Sequence, residues 1–257
     1  MNKIFKIPIL CVLWVICKVF GLFGNKKSIA VLAYHSISNN DWRFSVSPKD
    51  FEKQIRLLID KKYRFIDFDE LLRFLNNETE LSSKSVVLTF DDGYEDFIEN
   101  ALPILNQYNI PAIVAIHSNR SNKELNNNFK LMSWEQVKSL PSSIKIANHS
   151  LSHTNLKELN EKQLFEQIID STRVFEERLG TRPNIFCYPG GKYSSKIIDL
   201  IRSQGYEMAF TINEGLVSKN QSGFELKRIT IENKTSLFEF SLKLSCAVDL
   251  YNKIKNG

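Results

Sequence analysis

Two histidines four residues apart and two adjacent aspartates are the residues of this sequence best suited to chemistry. The histidines are His149 and His153 in the segment NHSLSH, and the acids are Asp91 and Asp92 in the segment TFDDG. Two imidazole nitrogens and one carboxylate can bind a divalent metal and leave a coordination position open, which is typical of a catalytic site. The second carboxylate could then act as a base toward a water molecule.

The two histidines can bind one ion only if the chain turns between them. Residues four apart on an extended strand are separated by about 13 Å, whereas metal–nitrogen bonds are about 2.0–2.1 Å long. We therefore expect a helical turn at 150–152. Strand alternation would point Asp91 and Asp92 to opposite sides, so that one binds the metal and the other does not. Taken alone, the histidine pair is explained equally well by two surface or capping histidines.

His35 is the candidate proton donor for a leaving group. It lies at the end of the first predicted strand, and imidazole is the side chain that most readily exchanges a proton near neutral pH. His117 also lies near a strand end, in AIVAIHS, and we interpret it as a core residue.

Apolar runs alternate with helical patterns along the chain. Strands are predicted at 29–37, 64–68, 85–90, 112–118, 144–148, 185–189 and 208–213, with an edge strand at 226–231. Helices are predicted from 48, at 69–76, 96–108, 133–140, 160–180, 194–203 and 236–248, and 119–130 is a polar loop. This alternation predicts an α/β fold of parallel strands covered by helices, either a barrel or an open sheet. The candidate residues would share the rim at the carboxyl ends of the strands.

Composition argues against nucleic acid as a partner. The chain has 257 residues and a net charge of +5. Residues 1–27 contain five lysines and no acid, so the rest of the chain has 29 basic and 29 acidic residues. A neutral body lacks the basic face that phosphate binding requires. The four cysteines match neither a zinc motif nor a dense disulfide framework.

The apolar segment 4–23 divides the chain into an N-terminal region, 1–27, and a body, 28–257. Two lysines and a proline interrupt the segment, and no small-residue cleavage site follows it. An uncleaved membrane anchor, a cleaved signal peptide and a helix that lies on a membrane or on the domain all remain open. We expect a membrane-associated or exported protein, and a cytoplasmic-face location stays open.

Three motifs together resemble a known family. TFDDG, HSLSH and YPGGKYS are similar to the motifs of the NodB-homology polysaccharide deacetylases, carbohydrate esterase family four, and the resemblance covers about residues 29–231. The segment YHSIS before TFDDG is most similar to the poly-N-acetylglucosamine deacetylases of exopolysaccharide systems. The resemblance implies a distorted (β/α) barrel of about seven strands that removes acetyl groups from N-acetylhexosamine units of a polysaccharide.

The resemblance also implies roles for individual residues. Asp91 would be the catalytic base and His35 the general acid. The metal, zinc or else cobalt, nickel or iron, would be bound by Asp92, His149 and His153.

Three further residues are expected at the substrate. Gly190 matches the position at which the family offers a backbone N–H to the oxyanion, and Tyr188 lies beside it. The family's arginine before the Pro-Tyr segment is missing from Phe186–Pro189. Arg228 is the candidate to orient the base in its place.

Two other functions are weighed against polysaccharide deacetylation. One is a deacetylase of a lipid-linked or small acylated sugar, which a membrane-embedded N-terminus would favour. The other is a catalytically inactive saccharide-binding module, which the presence of all five expected side chains disfavours. We expect the protein to be a monomer.

Overall fold

Seven of the apolar runs form parallel strands that close into a barrel. The computed structural model describes residues 3–19, 28–82, 84–119, 124–125, 129–219 and 221–256. The barrel strands are β1 (Ser28–Tyr34), β2 (Ser85–Phe90), β3 (Ala112–Ile116), β4 (Ile144–Asn148), β5 (Ile185–Cys187), β6 (Met208–Glu214) and β7 (Leu226–Thr230). Each strand pairs with the next along the chain, and β7 pairs back with β1. The predicted α/β barrel of about seven parallel strands is confirmed.

The expectation of an edge strand at 226–231 is wrong. β7 lies between β6 and β1, with Ile229 and Thr230 paired to Leu32 and Ala33. Closing the sheet into a ring removes its edges, so a strand that looks peripheral in sequence becomes interior. Arg228 on this strand is consequently buried.

Four predicted strands end earlier than expected: those at 112–118 and 185–189 stop at Ile116 and Cys187, and two others differ more. The run at 29–37 breaks after Tyr34, and Ser36–Ile37 instead pairs with Ser45–Val46 in a small separate sheet. Of the run at 64–68, only Arg64–Phe65 is a strand, because Asp67 caps the helix that follows.

Alternate residues of the strands belong to two apolar clusters. Val31, Val87 and Phe210 lie in a cluster to which every barrel strand contributes, and this cluster fills the barrel interior. Leu32 and Leu88 lie in a second cluster between the strands and the surrounding helices. Burial on both sides explains why these strands are continuous apolar runs.

Ten α-helices surround the barrel in the part of the chain that the structure describes. They are α1 (Lys3–Val19), α2 (Pro48–Asp60), α3 (Phe68–Leu75), α4 (Leu102–Gln107), α5 (Trp134–Lys138), α6 (Glu161–Phe165), α7 (Ser171–Leu179), α8 (Ser195–Ser203), α9 (Leu237–Lys243) and α10 (Ala247–Asn256). The predicted helix at 160–180 is split by a π-helical turn, Glu166–Asp170, and the one at 236–248 ends at Lys243. Another π-helical turn, Phe97–Ala101, precedes α4.

The N-terminal helix α1 packs against the two C-terminal helices. Leu10 and Leu13 of α1 are buried against Leu242 and Tyr251. Within the described residues, no helix combines the length and apolar character needed to cross a membrane. Of the predicted apolar segment 4–23, the residues as far as Val19 are helical, and the last ones lie outside the described part of the chain.

One disulfide fastens α1 to the body of the domain. It joins Cys17 to Cys246, which precedes α10. The two residues are 229 positions apart, so their spacing in the sequence gave no sign of the bond. The chain thus has a single long-range disulfide rather than the dense framework that the cysteine pattern excludes.

Candidate active site

The predicted metal ligands Asp92, His149 and His153 meet at the rim of the barrel. The Nε2 atoms of His149 and His153 lie 3.6 and 3.3 Å from Oδ1 of Asp92. Three ligands held about 2.1 Å from one ion at tetrahedral angles would be about 3.4 Å apart, so these separations fit a single metal ion. The three ligand atoms all lie within 4.8 Å of one another.

The donor atoms are left available for an ion. Oδ1 of Asp92 is buried and has no hydrogen-bond partner among the described residues. Nδ1 of His149 lies 2.7 Å from the carbonyl oxygen of Cys187, to which it can donate, so that Nε2 keeps its lone pair. Burial, followed by the proximity of His153, lowers the pKa of His149 to about 4 and keeps the ring neutral, as a ligand must be. A buried carboxylate oxygen beside two imidazoles suits a divalent transition metal.

A left-handed residue, not strand alternation, separates the two aspartates. β2 ends at Phe90, and Asp92 has φ of +72°, followed by Gly93 at +70°. The expectation that the strand continues through both acids is therefore wrong. Aspartate accepts this conformation better than most residues, and the reversal turns its carboxylate away from that of Asp91.

The second turn of the site also uses left-handed backbone. Ser150 has φ of +68° and His153 has φ of +57°, so the segment between the histidines is a tight turn and not the expected helical one. The backbone N–H of His153 donates to Oγ of Ser150 at 3.2 Å. The chain turns as the spacing requires, and the His149 and His153 rings lie 4.8 Å apart.

Asp91 and Arg228 form a buried bidentate ion pair. The two outer nitrogens of Arg228 each donate to one oxygen of Asp91 at 2.7 Å. Arg228 also donates to the carbonyl of Thr211 at 2.8 Å and to Oγ1 of Thr89 at 3.1 Å. Burial by itself would raise the pKa of Asp91, but the charge and hydrogen bonds of Arg228 outweigh it and hold that pKa well below its usual range. Asp91 is therefore ionised and fixed in orientation.

His35 lies between two aromatic rings that follow it in the chain. Its ring stacks on Phe44 at 4.9 Å between centroids and meets the edge of Trp42 at 5.8 Å. Its Nδ1 atom is buried without a hydrogen-bond partner among the described residues. The imidazole is thus oriented by ring packing.

The candidate residues share one large groove. Its walls include His35 and the two aromatic rings beside it, both aspartates, both histidines of the HSLSH segment, and Gly190. A base candidate, a proton-donor candidate and the metal-ligand cluster therefore face one common space.

Two residues of the YPGG segment differ in their position: Gly190 lies on the groove and Tyr188 lies behind its wall. Gly190 lies on the groove wall, in the turn Pro189–Gly191 after β5. Tyr188 does not: its hydroxyl donates to the carbonyl of Phe224 at 3.1 Å, and its backbone N–H donates to the carbonyl of Phe210. The expected substrate contact by Tyr188 is corrected accordingly, because its ring is buried in the wall and both of its donors are used there.

The sequence profile of the family described as Polysaccharide deacetylase matches residues 78–209, about half of the chain. This chain belongs to that family. It is 28% identical over 203 residues to the Bacillus subtilis protein YxkH, covering 79% of this chain and 71% of that protein. It is 27% identical over 225 residues to a poly-beta-1,6-N-acetyl-D-glucosamine N-deacetylase of Staphylococcus aureus, covering 82% and 75%.

Among solved structures, the Streptococcus pyogenes deacetylase PplD in complex with acetate has the same fold. The TM-score is 0.76 at 24% identity, and the match covers 86% of this chain and all of that one. The matched family segment contains the three metal-ligand candidates and Asp91, whereas His35 and Arg228 lie on either side of it.

In this polysaccharide deacetylase, barrel closure brings the two outlying residues to the site. β1, which carries His35 at its end, and β7, which carries Arg228, are the strands that complete the ring. Phe44, whose ring stacks on His35, was not predicted as a site residue from the sequence. Its type and its distance from His35 in the chain gave no local sign of this contact.

Proposed function

We propose that this polysaccharide deacetylase removes N-acetyl groups from N-acetylhexosamine units of a polysaccharide and releases acetate. The observation that carries the proposal is that Asp91 and His35 line the same groove as the Asp92–His149–His153 cluster. Amide hydrolysis needs a base, a centre that polarises the carbonyl, and an acid for the departing amine. The name of the Staphylococcus aureus relative supports β-1,6-linked N-acetylglucosamine as the sugar.

The residues have separate tasks in this reaction. Asp92, His149 and His153 would hold the metal ion, which when bound polarises the acetyl carbonyl and acidifies a water molecule. Asp91, which Arg228 keeps ionised, accepts a proton from that water as the water oxygen bonds to the carbonyl carbon.

The second half of the reaction uses the other side of the groove. The backbone N–H of Gly190 donates a hydrogen bond to the oxygen on which negative charge develops. His35 gives a proton to the amide nitrogen as the carbon–nitrogen bond breaks. The products are acetate and a free amine on the sugar.

Zinc is the proposed native metal. Two imidazole nitrogens and one carboxylate oxygen match the ligand set of catalytic zinc sites, in which a further position stays open. Cobalt, nickel and iron accept the same donors, so the identity of the ion rests on the metal content of the purified protein.

The substrate is proposed to be a polymer and not a small acylated sugar. The Staphylococcus aureus relative is named for a polymeric substrate, poly-beta-1,6-N-acetyl-D-glucosamine. A saccharide-binding module without activity is disfavoured, because the base, the acid and the ligands are all present and converge.

We also propose that the protein works at or outside the cytoplasmic membrane. Val12, Val15 and Val19 of α1 are exposed, which suits contact with a lipid surface. The Cys17–Cys246 disulfide suits an oxidising compartment. Sedimentation with lipid vesicles tests the first point. Alkylation of both cysteines as free thiols in intact cells would instead favour the cytoplasmic face.

The deciding experiment is a deacetylation assay on β-1,6-linked N-acetylglucosamine oligomers. The protein is stripped with a chelator and then restored with zinc or cobalt, and acetate and free amine are measured together. We expect equal amounts of both products, lost on stripping and regained on restoration. Turnover that persists without metal would refute the metal-dependent mechanism, and turnover of only lipid-linked or monomeric sugars would refute the polymer as substrate. Gel filtration with light scattering tests the predicted monomer.

A further inference from the structure

The position of His35 depends on the backbone that follows it. The ring of His35 is in contact with Trp42 and Phe44, and its Nδ1 has no hydrogen-bond partner in the described part of the chain. A proton donor must nevertheless reach the departing nitrogen within hydrogen-bond distance. The backbone segment that carries His35 must therefore be held in a fixed position.

Asp96 and Asn100 hold the two residues immediately after His35. The carboxylate of Asp96 accepts a 2.5 Å hydrogen bond from Oγ of Ser36 and a 3.2 Å bond from the backbone N–H of Ile37. Asn100 donates its side-chain N–H to the carbonyl of Ile37 at 2.8 Å. Three hydrogen bonds from one turn of chain therefore fix the exit from β1.

The same contacts continue to the aromatic ring beside His35. Ser36 and Ser38 are joined through their hydroxyls at 2.7 Å, and Asn40 donates to Ser38 at 2.5 Å. The backbone N–H of Trp42 then donates to the side chain of Asn40 at 3.0 Å. This polar chain runs from Asp96 to the residue whose ring packs on the imidazole.

Asp96 is at the same time part of the segment that carries the base and a metal ligand. It lies four residues after Asp92 and begins the π-helical turn Phe97–Ala101. At such a position aspartate normally caps the helix, but Asp96 makes no side-chain bond to that helix and spends its carboxylate on Ser36 and Ile37. π-helical turns are also frequent at functional sites.

We propose that Asp96 and Asn100 are positioning residues that fix His35 relative to Asp91 and Asp92. The inference rests on the proposed function, since it assigns His35 the proton transfer to the amine. A displacement of about 1 Å can reduce turnover by about a hundredfold. Loss of Asp96 should therefore weaken proton donation while the metal cluster stays intact.

The test compares two substrates of the metal-loaded enzyme, the N-acetylglucosamine oligomer and 4-nitrophenyl acetate. The amine needs a proton to depart, whereas 4-nitrophenolate leaves without one. For Asp96→Ala we expect kcat on the oligomer to fall by about 10- to 100-fold with little change in KM. Hydrolysis of the aryl ester should stay within about twofold of wild type, and the metal content should be unchanged. Ser36→Ala, a smaller change in the same contact, should give the same pattern to a lesser degree.

Two controls separate positioning from general loss of structure. Asp67→Ala removes the exposed capping carboxylate of α3 and should lower the unfolding temperature without altering the ratio of the two activities. His35→Asn should show the same selective loss as Asp96→Ala, only larger. The double variant His35→Asn/Asp96→Ala should turn over the oligomer at a rate within about twofold of that of His35→Asn alone.

Each outcome decides between the two proposals. A selective loss in His35→Asn with wild-type behaviour of Asp96→Ala would overturn the positioning role alone. A parallel fall of both activities, or loss of metal, in Asp96→Ala would also overturn it. Unchanged turnover on the oligomer by His35→Asn would instead remove the proton-donor role from the proposed function.

Discussion

Replacing Arg228 with methionine should strongly destabilise the domain, because Asp91 would keep its charge inside the barrel without a partner. Arg228 is completely buried, and Asp91 is 4% exposed. Removing one partner of a buried ion pair costs about 3–5 kcal/mol of unfolding free energy. For a chain of this length, that corresponds to a fall of about 6–20 °C in the unfolding temperature.

The double variant Asp91→Asn/Arg228→Met should be more stable than Arg228→Met alone. Adding Asp91→Asn to Arg228→Met removes the stranded charge, so part of the lost stability should return. Direct neighbours give interaction energies of about 0.5–3 kcal/mol in such cycles, and a bidentate buried pair should lie near the top of that range. The four proteins are compared by thermal and urea unfolding, both in chelator and at a fixed zinc concentration.

The dependence on pH provides a second check. The pKa of Asp91 is lowered in the folded protein, so its contribution to stability is present above the unfolded value of about 3.9 and is lost as the pH falls through the folded value. The stability gap between wild type and Arg228→Met should therefore narrow as the pH falls below about 5. A coupling below about 0.5 kcal/mol, or a gap that widens in acid, would refute the ion pair as the main role of Arg228.

Three further predictions concern the site and its supporting turn. Asp91→Asn should reduce acetate release by at least about a hundredfold while zinc content stays stoichiometric; turnover near wild type would remove Asp91 as the base. His149→Ala should lose zinc in equilibrium dialysis, and full occupancy would contradict its assignment as a ligand. Gly191→Ala should cost about 3 kcal/mol or more in urea unfolding, because its new methyl group would lie 2.3 Å from a side-chain carbon of Ile212 and φ is +64°. Gly180→Ala is the matched control, since φ is similar at +73° with no atom within 4 Å, and it should cost only about 1–2 kcal/mol; equal losses would contradict the steric argument.

The barrel could be predicted from the sequence because its strands are buried on both sides. Two-sided burial leaves continuous apolar runs, and their alternation with helical patterns indicates parallel strands. The sequence of a strand does not show whether it pairs with one neighbouring strand or with two, because that depends on how the ring closes. β7 illustrates this limit: its sequence LKRIT contains two charges and resembles an edge strand, yet it pairs on both sides.

The types of the site residues were predictable, but the backbone that arranges them was not. The spacing of His149 and His153 required a turn, and a turn is present. Its left-handed residue, Ser150, carries no sequence signal, because serine seldom adopts this conformation. The same limit led to the mistaken idea that strand alternation separates Asp91 from Asp92.

Long-range partners are the other part that local patterns cannot supply. Asp96 looks like an ordinary helix cap in the sequence, yet its partner Ser36 lies 60 residues earlier. Cys17 and Cys246 pair across nearly the whole chain. Arg228 is different, because the resemblance to the family suggested it as the residue that orients Asp91, and the two side chains are in contact.

The proposed division of labour between the two adjacent aspartates follows from their different partners. Asp91 has its charge matched by Arg228 at 2.7 Å, whereas Asp92 has a buried oxygen without a hydrogen-bond partner in the described part of the chain. Because His149 is neutral, the buried charges here are those of Asp91, Asp92 and Arg228, and they sum to one negative charge in a poorly solvated place. Buried negative charge of this kind needs a cation. A divalent ion there would bring the sum to one positive charge, beside the position where the acetyl oxygen becomes negative during hydrolysis. The left-handed turn at Asp92 therefore does more than separate two side chains: it directs one carboxylate away from Arg228 and leaves it available to the proposed metal ion.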